Sequence, residues 1–301
     1  MGTPWAGVYS AVTTKFTKQG GLDLALMERH CHFQIDGGVH GIVVLGSLGE
    51  NGSLSTDERH EVVKLAVHTS NQRVPVLSGV AETTTVAACK FVEKAAANGA
   101  DGFMVLPGMQ YVSDRRETLQ HLRSVASASP RPIMLYNNPV AYRVDVTAEM
   151  FAELSDEPKF VAIKESSEDV RRITDIRNRV GDRYQIFTGV DDLSLESLLL
   201  GAVGWVAGLV CAFPKETVAL YKLAKAGRLD EALALYKWFT PLLHLDVSTK
   251  FVQNIKLAET MVGVGSEYVR APRLPLAGDE RMTVEKIIAT AIASRPTLPS
   301  V

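Results

Sequence analysis

Residues 160–165 have the sequence Phe160-Val-Ala-Ile-Lys-Glu165, in which four apolar residues precede two charged ones. A short apolar run that does not alternate with polar residues is typical of a strand buried on both faces. Parallel strands covered by helices have this pattern. The run therefore predicts a parallel β-strand that ends at Lys164.

Similar runs recur along the chain, separated by segments with helical signals. Ser55 stands before one helical pattern as a capping residue, Asn98-Gly99 ends another, and Pro214 suits a first helical turn. With Phe160–Lys164, the predicted strands are Gly7–Val12, Gly41–Leu45, Val74–Ser78, Gly102–Leu106, Ile133–Tyr136, Gln185–Thr188 and Gly204–Ala207.

About eight βα units in succession are the number required for a (β/α)8 barrel. A doubly wound open sheet is the alternative, but its G-x-G-x-x-G fingerprint does not follow the first strand. After Gly227 only helical patterns remain. The sequence therefore predicts an α/β chain with a TIM barrel in residues 1–227 and a C-terminal helical region in residues 228–301.

Composition and charge exclude several classes of protein. The 301 residues carry a formal net charge of −2, and no basic stripe indicates nucleic-acid binding. No apolar run reaches the roughly 20 residues that span a bilayer. Cys31, Cys89 and Cys211 are odd in number and widely spaced, which favours a reducing, cytoplasmic setting over a disulfide framework.

The active site of a barrel forms where its strands end, so the polar residues at those positions are the candidates. Lys164 follows an apolar strand, and burial there would favour its neutral, nucleophilic amine. A salt bridge with Glu165, or a side chain turned to solvent, is the alternative for this lysine. Tyr136 ends the preceding strand, where its phenol could shuttle protons or merely line the rim.

The segment Gly46-Ser-Leu-Gly-Glu50 follows strand 2. Glycine-bounded turns of this kind offer backbone N–H groups to a carboxylate, although a plain tight turn has the same composition. These candidates occur in the correct order for one barrel mouth. The combination favours chemistry on a small 2-oxo acid.

The chain resembles the N-acetylneuraminate lyase and dihydrodipicolinate synthase family of class I aldolase-like barrels, from about Gly7 to Pro275. The motifs that carry the resemblance are G-[ST]-x-G-E at Gly46–Glu50, Y-N-x-P at Tyr136–Pro139 and I-K-E at Ile163–Glu165. The resemblance implies a Schiff base on Lys164, with Tyr136 relaying protons. Because the lysine itself would supply the electron sink, we expect no metal or organic cofactor. It implies a substrate-binding set of Ser47, Leu48, Gly189 and Val206, and a homotetramer built as a dimer of dimers.

Three departures bear on the substrate. Dihydrodipicolinate synthases have two threonines where Ser47 and Leu48 stand, and an arginine for a second carboxylate where Ala141 stands. Loss of that arginine removes a bidentate carboxylate clamp. Their P-Y-Y segment is Pro107–Tyr111 here, so Tyr111 is the nearest candidate for the tyrosine that the family supplies across a dimer interface. Whether Arg143 replaces the missing arginine is left open.

The amino-acid sequences of several segments resemble those of one branch of the family, the 1-pyrroline-4-hydroxy-2-carboxylate deaminases of hydroxyproline breakdown. The segments are Ala11–Thr17, Leu45–Asn51, Lys164–Glu168 and Val269–Leu276. We therefore expect deamination of this cyclic imine to 2-oxoglutarate semialdehyde and ammonia. The alternatives are an aldolase or dehydratase of a 2-keto-3-deoxy sugar acid or 4-hydroxy-2-oxoglutarate, a dihydrodipicolinate synthase, and a non-catalytic barrel that senses a 2-oxo acid.

Overall fold

The computed structural model describes residues 5–108 and 110–300, and within them eight parallel strands close into one barrel. Each strand pairs with the next along the chain, and β1 pairs with β8. The predicted (β/α)8 barrel is therefore confirmed. The strands are β1 (Gly7–Ala11), β2 (Gly41–Val44), β3 (Val76–Val80), β4 (Gly102–Val105), β5 (Ile133–Asn137), β6 (Phe160–Glu165), β7 (Gln185–Thr188) and β8 (Gly204–Ala207).

Helices cover the outside of the barrel and continue beyond it. Those that follow β1 to β8 are α1 (Leu24–Asp36), α2 (Thr56–Ser70), α3 (Thr85–Ala97), α4 (Arg115–Ala128), α5 (Pro139–Tyr142), α6 (Ala148–Glu153), α7 (Arg171–Val180), α8 (Ser194–Leu199) and α9 (Pro214–Lys225). The C-terminal helices are α10 (Leu229–Leu243), α11 (Phe251–Met261) and α12 (Gly278–Ala293). Among the described helices, none has the length and apolar composition needed to cross a bilayer.

The predicted start of β3 at Val74 is two residues early. Val74 is held in a turn, because its amide donates to the Ser70 hydroxyl and its carbonyl accepts from the same group. The strand begins after Pro75, where the Val76 amide donates to the Asp101 carboxylate. Local side-chain bonding at the end of α2 therefore sets where the strand begins.

The predicted capping signals are confirmed. Ser55 accepts from the Glu58 amide, and the Glu58 carboxylate accepts from the Ser55 amide, which forms a capping box at the start of α2. Asn98 caps the end of α3, and the following Gly99 has a φ of 99°. Pro214 is the first residue of α9.

Two buried ion pairs join the C-terminal helices to the barrel. Lys15 Nζ lies 2.6 Å from Glu259 Oε2, and Lys256 Nζ lies 2.5 Å from Glu50 Oε1, with all four side chains inaccessible to solvent. Both Lys256 and Glu259 belong to α11. The division at residue 227 stays a prediction, and these pairs tie the two predicted parts together.

We expect removal of one partner of a buried pair to be costly, because it leaves an uncompensated buried charge. Lys15→Met should lower the free energy of unfolding by about 3–5 kcal/mol. Lys250→Met is the matched control, since Lys250 pairs with Glu280 on the surface, where both side chains are more than 40% exposed. That change should cost less than about 1 kcal/mol. Urea titration of both variants tests the difference, and equal losses would contradict it.

Candidate active site

The carboxyl ends of β5 and β6 place Lys164 beside Tyr136. The two residues are register partners in the parallel ladder, and both side chains are buried, at 7% and 6% exposure. Lys164 Nζ lies 4.2 Å from the centre of the Tyr136 ring. The structure thus brings together the two residues predicted to be catalytic.

Glu165 does not pair with Lys164, so the salt-bridge alternative from the sequence is wrong. Successive side chains of a strand point to opposite faces, which separates the two groups. The Glu165 carboxylate instead accepts from Asn137 Nδ2 at 3.1 Å and from the Ser167 amide at 2.7 Å. Lys164 therefore keeps an amine without a bonded carboxylate on its own strand.

Burial lowers the pKa of Lys164, because a charged ammonium loses hydration in the barrel interior. Electrostatic interaction with three neighbours opposes this fall in the pKa; they are Tyr142, Asp246 and Asp191. The balance favours the neutral amine more than at an exposed lysine.

Gly189, which was predicted to line the pocket, leaves room for the lysine. A Cβ atom at this position would lie 2.3 Å from Lys164 Cε and 2.1 Å from Ser166 Oγ. Real Cβ contacts are not that short, so the lysine side chain can lie where it does only beside a glycine. Val206, the other predicted lining residue, is a buried residue of β8.

The loop after β2 carries the other predicted binding residues, Ser47 and Leu48. In the part of the chain that the structure describes, the backbone amides of these two residues have no protein acceptor. Glu50 fixes the loop from behind, since its carboxylate pairs with Lys256 and accepts from the Arg270 amide at 3.2 Å. The loop therefore has two backbone N–H groups without a protein acceptor, and the ion pair of Glu50 holds it in place.

Two residues of the site were not predicted. Tyr142, the last residue of α5, hydrogen-bonds Ser47 Oγ through its hydroxyl, and its ring meets that of Tyr136 edge to face with centroids 5.8 Å apart. Its closeness to the Y-N-x-P motif was the available signal. Asp246, just after α10, has its carboxylate against Gly208, where a Cβ would lie 2.3 Å from Asp246 Oδ1. No sequence pattern marks so distant a residue.

Asp191 has a structural role at the edge of the site. Its buried carboxylate accepts from Trp205 Nε1 at 2.9 Å and from the Leu209 amide at 2.8 Å. Burial raises its pKa to about 6, and these hydrogen bonds and Lys164 counter the rise. It thus fixes the loop after β8 and adds negative charge beside the lysine.

The two residues left open by the sequence have exposed side chains in the single chain. Tyr111 is 60% exposed and lines a separate cleft of about 630 Å³ with Gln110 and Arg116. Arg143 ends α5 with a φ of 61° and is exposed. Neither Tyr111 nor Arg143 makes the hydrogen bond with Ser47 that Tyr142 makes.

Among the residues that the structure describes, one buried cluster has atoms suited to metal binding. His30, Cys211 and Glu259 each place a ligating atom within 4.8 Å of the others. The Lys15 ammonium already contacts Glu259, and burial raises the pKa of the Cys211 thiol, which keeps it protonated. The cluster therefore favours the ion pair between Lys15 and Glu259 over a bound metal ion.

The barrel and its buried lysine–tyrosine pair define the class of this protein as a class I aldolase-like lyase. The chain belongs to the dihydrodipicolinate synthetase family, whose model matches residues 4–291. This confirms the family that the sequence motifs indicated.

Relatives of the chain span nearly its full length. It is 29% identical to the 4-hydroxy-tetrahydrodipicolinate synthase of Methanothrix thermoacetophila, over 94% of this chain and 95% of the relative. It is 31% identical to an uncharacterised DapA-like lyase of Rhizobium meliloti, over 91% of each. The dihydrodipicolinate synthase of Acinetobacter baumannii complexed with pyruvate superposes with a TM-score of 0.91 at 26% identity, covering 95% of this chain and 98% of the other.

We expect Lys164 to titrate at a lower pH than an ordinary lysine, because burial lowers its pKa. The pH dependence of amine acetylation, followed by mass spectrometry of each peptide, measures this directly. Lys18 is the control, since its side chain is exposed. A midpoint for Lys164 at or above that of Lys18 would contradict the argument from burial.

Proposed function

We propose that this enzyme forms a Schiff base between Lys164 and a small 2-oxo acid or its cyclic imine. The observation that carries the proposal is the buried Lys164 amine, 4.2 Å from the Tyr136 ring centre and free of an ion pair with Glu165. A neutral lysine amine adds to ketones and imines, and a phenol beside it can donate and accept the protons. Ser47 and Leu48 would hold the substrate carboxylate through their free amides.

The proposed substrate is 1-pyrroline-4-hydroxy-2-carboxylate. Lys164 would add to the C2 imine carbon and displace the ring nitrogen, which opens the ring and leaves an iminium on the lysine. Tyr136 would assist removal of a C3 proton, and the C4 hydroxyl would leave as water with the iminium as electron sink. Proton shifts then move the unsaturation to the C5 amine.

Hydrolysis completes the sequence. One water releases ammonia from C5 and another frees the 2-oxo group from Lys164, while the dehydration returns one. The net reaction consumes one water and gives 2-oxoglutarate semialdehyde and ammonia. No oxidant or reductant is required, because the lysine itself supplies the electron sink.

The charges around the amine support a substrate with a single carboxylate. Ala141 offers no cation for a second one, and Arg143 is exposed. Asp191 and Asp246 both act electrostatically on Lys164. Burial raises the pKa of Asp246 well above its usual range, so Asp191 is the group whose negative charge beside the amine disfavours a distal carboxylate.

A second candidate is the synthase reaction. Curated relatives across most of the chain are named 4-hydroxy-tetrahydrodipicolinate synthase, which favours this alternative. At 27–29% identity these names support the family chemistry more strongly than a particular substrate. The residue at position 141 is the local argument against it.

Borohydride reduction tests the Schiff base. With 1-pyrroline-4-hydroxy-2-carboxylate or with pyruvate, we expect a substrate-derived mass on the Lys164 peptide. Lys256 is the internal control, because it is also buried and burial lowers its pKa to about 8, but it is paired with Glu50. Absence of an adduct on Lys164 with both compounds would show that the proposal is wrong.

Product analysis of the purified enzyme separates the candidate substrates. We expect ammonia and 2-oxoglutarate semialdehyde from the hydroxypyrroline. Release of pyruvate from 4-hydroxy-2-oxoglutarate or a 2-keto-3-deoxy sugar acid would instead indicate an aldolase. Formation of 4-hydroxy-tetrahydrodipicolinate from pyruvate and an amino aldehyde would indicate the synthase, and no turnover in any assay would favour a sensor. Lys164→Ala is the control for background reaction.

A further inference from the structure

The short helix α5 places the phenol of its last residue, Tyr142, against the ring of Tyr136. Asn138 caps this helix by accepting from the Ala141 amide at 2.9 Å, and its Nδ2 donates to the Tyr136 hydroxyl at 3.1 Å. The Tyr142 amide donates to the Asn138 carbonyl at 3.0 Å. The same asparagine therefore fixes the positions of both tyrosines.

Tyr142 lies between Ser47 and Tyr136. Its hydroxyl bonds Ser47 Oγ, and its ring stands at 86° to that of Tyr136. Burial raises the pKa of Tyr142, and the Ser47 hydrogen bond opposes the rise. A phenol that stays neutral can both donate and accept a proton, as a relay requires.

The far end of this path reaches solvent. Tyr136 is buried, whereas Tyr142 and Ser47 are both partly exposed. A proton used by Tyr136 beside Lys164 must be replaced, and the path through Tyr142 to Ser47 leads toward water.

We propose that Tyr142 is a relay residue that reprotonates Tyr136 from Ser47, so that the proton path to the Lys164 amine is complete within one chain. This rests on the proposed Schiff base at Lys164. Tyr142 acts through Tyr136 and does not touch the reacting carbon, so it is a positioning residue rather than a catalytic one.

The proton transfers balance at each step. When the lysine nitrogen forms its double bond to C2, the departing ring nitrogen or carbinolamine hydroxyl takes a proton from Tyr136. Tyr136 takes one from Tyr142, Tyr142 from Ser47, and Ser47 from a water molecule at the mouth. The hydroxide left from that water balances the positive charge of the iminium, and hydrolysis of the iminium returns the proton. Each hydroxyl ends with the proton count with which it began.

Tyr142→Phe removes only the hydroxyl and keeps the ring against Tyr136. We expect kcat for the hydroxypyrroline, or the rate constant of adduct formation at saturating pyruvate, to fall on the order of 10- to 100-fold. KM should change by less than about threefold, because ground-state binding is kept. The proton inventory in mixed light and heavy water should change from curved to linear, which a purely structural role would not cause.

Two further variants provide controls. Tyr268→Phe removes a phenol hydroxyl from a side chain that is 39% exposed, and it should leave kcat and the inventory unchanged. Ser47→Ala removes the other end of the relay and should also give a linear inventory. Ser47→Ala keeps the test decisive if Tyr142→Phe does not fold.

Three outcomes would overturn the proposal. A kcat for Tyr142→Phe within about twofold of the unchanged enzyme, with a curved inventory, would exclude the relay. Loss of activity in Tyr111→Phe but not in Tyr142→Phe would assign the phenol to another copy of the chain. If the unchanged enzyme forms no adduct at Lys164, the proposed function itself fails and the relay fails with it.

Discussion

Closure of the parallel barrel is the constraint on which the rest of the structure depends. In a closed parallel barrel every strand points the same way, so every carboxyl end reaches one rim. Residues from β2, β5, β6, β7 and β8 meet there although they are distant along the chain. The same closure removes water from the interior and lowers the pKa of Lys164. Geometry and reactivity at the site thus have one physical origin.

The sequence predicts the barrel well because its signals are local. Buried strands form continuous apolar runs, and helices carry caps such as Ser55 and Pro214, so each unit can be recognised on its own. Lys164 and Tyr136 were predictable for the same reason, since each ends such a run. The start of β3 was not, because the turn at Val74 depends on a hydroxyl four residues earlier.

The remainder of the site depends on contacts between distant or irregular segments. Asp246 enters from beyond α10, and its approach to Gly208 depends on how the C-terminal helices pack. Tyr142 is close to a recognised motif, but its direction is set by a four-residue helix and by the left-handed backbone of Arg143. Periodicity carries no information about either position.

The packing of α11 has a consequence for how enzymes of this kind diverge. Lys164 and Tyr136 belong to the barrel strands, whereas Asp246 and the support of the Glu50 loop come from the C-terminal helices. Substitutions in those helices can therefore alter which substrate is accepted while the amine chemistry is retained. In evolutionary terms, part of what shapes the substrate site is inherited outside the barrel strands that carry Lys164 and Tyr136.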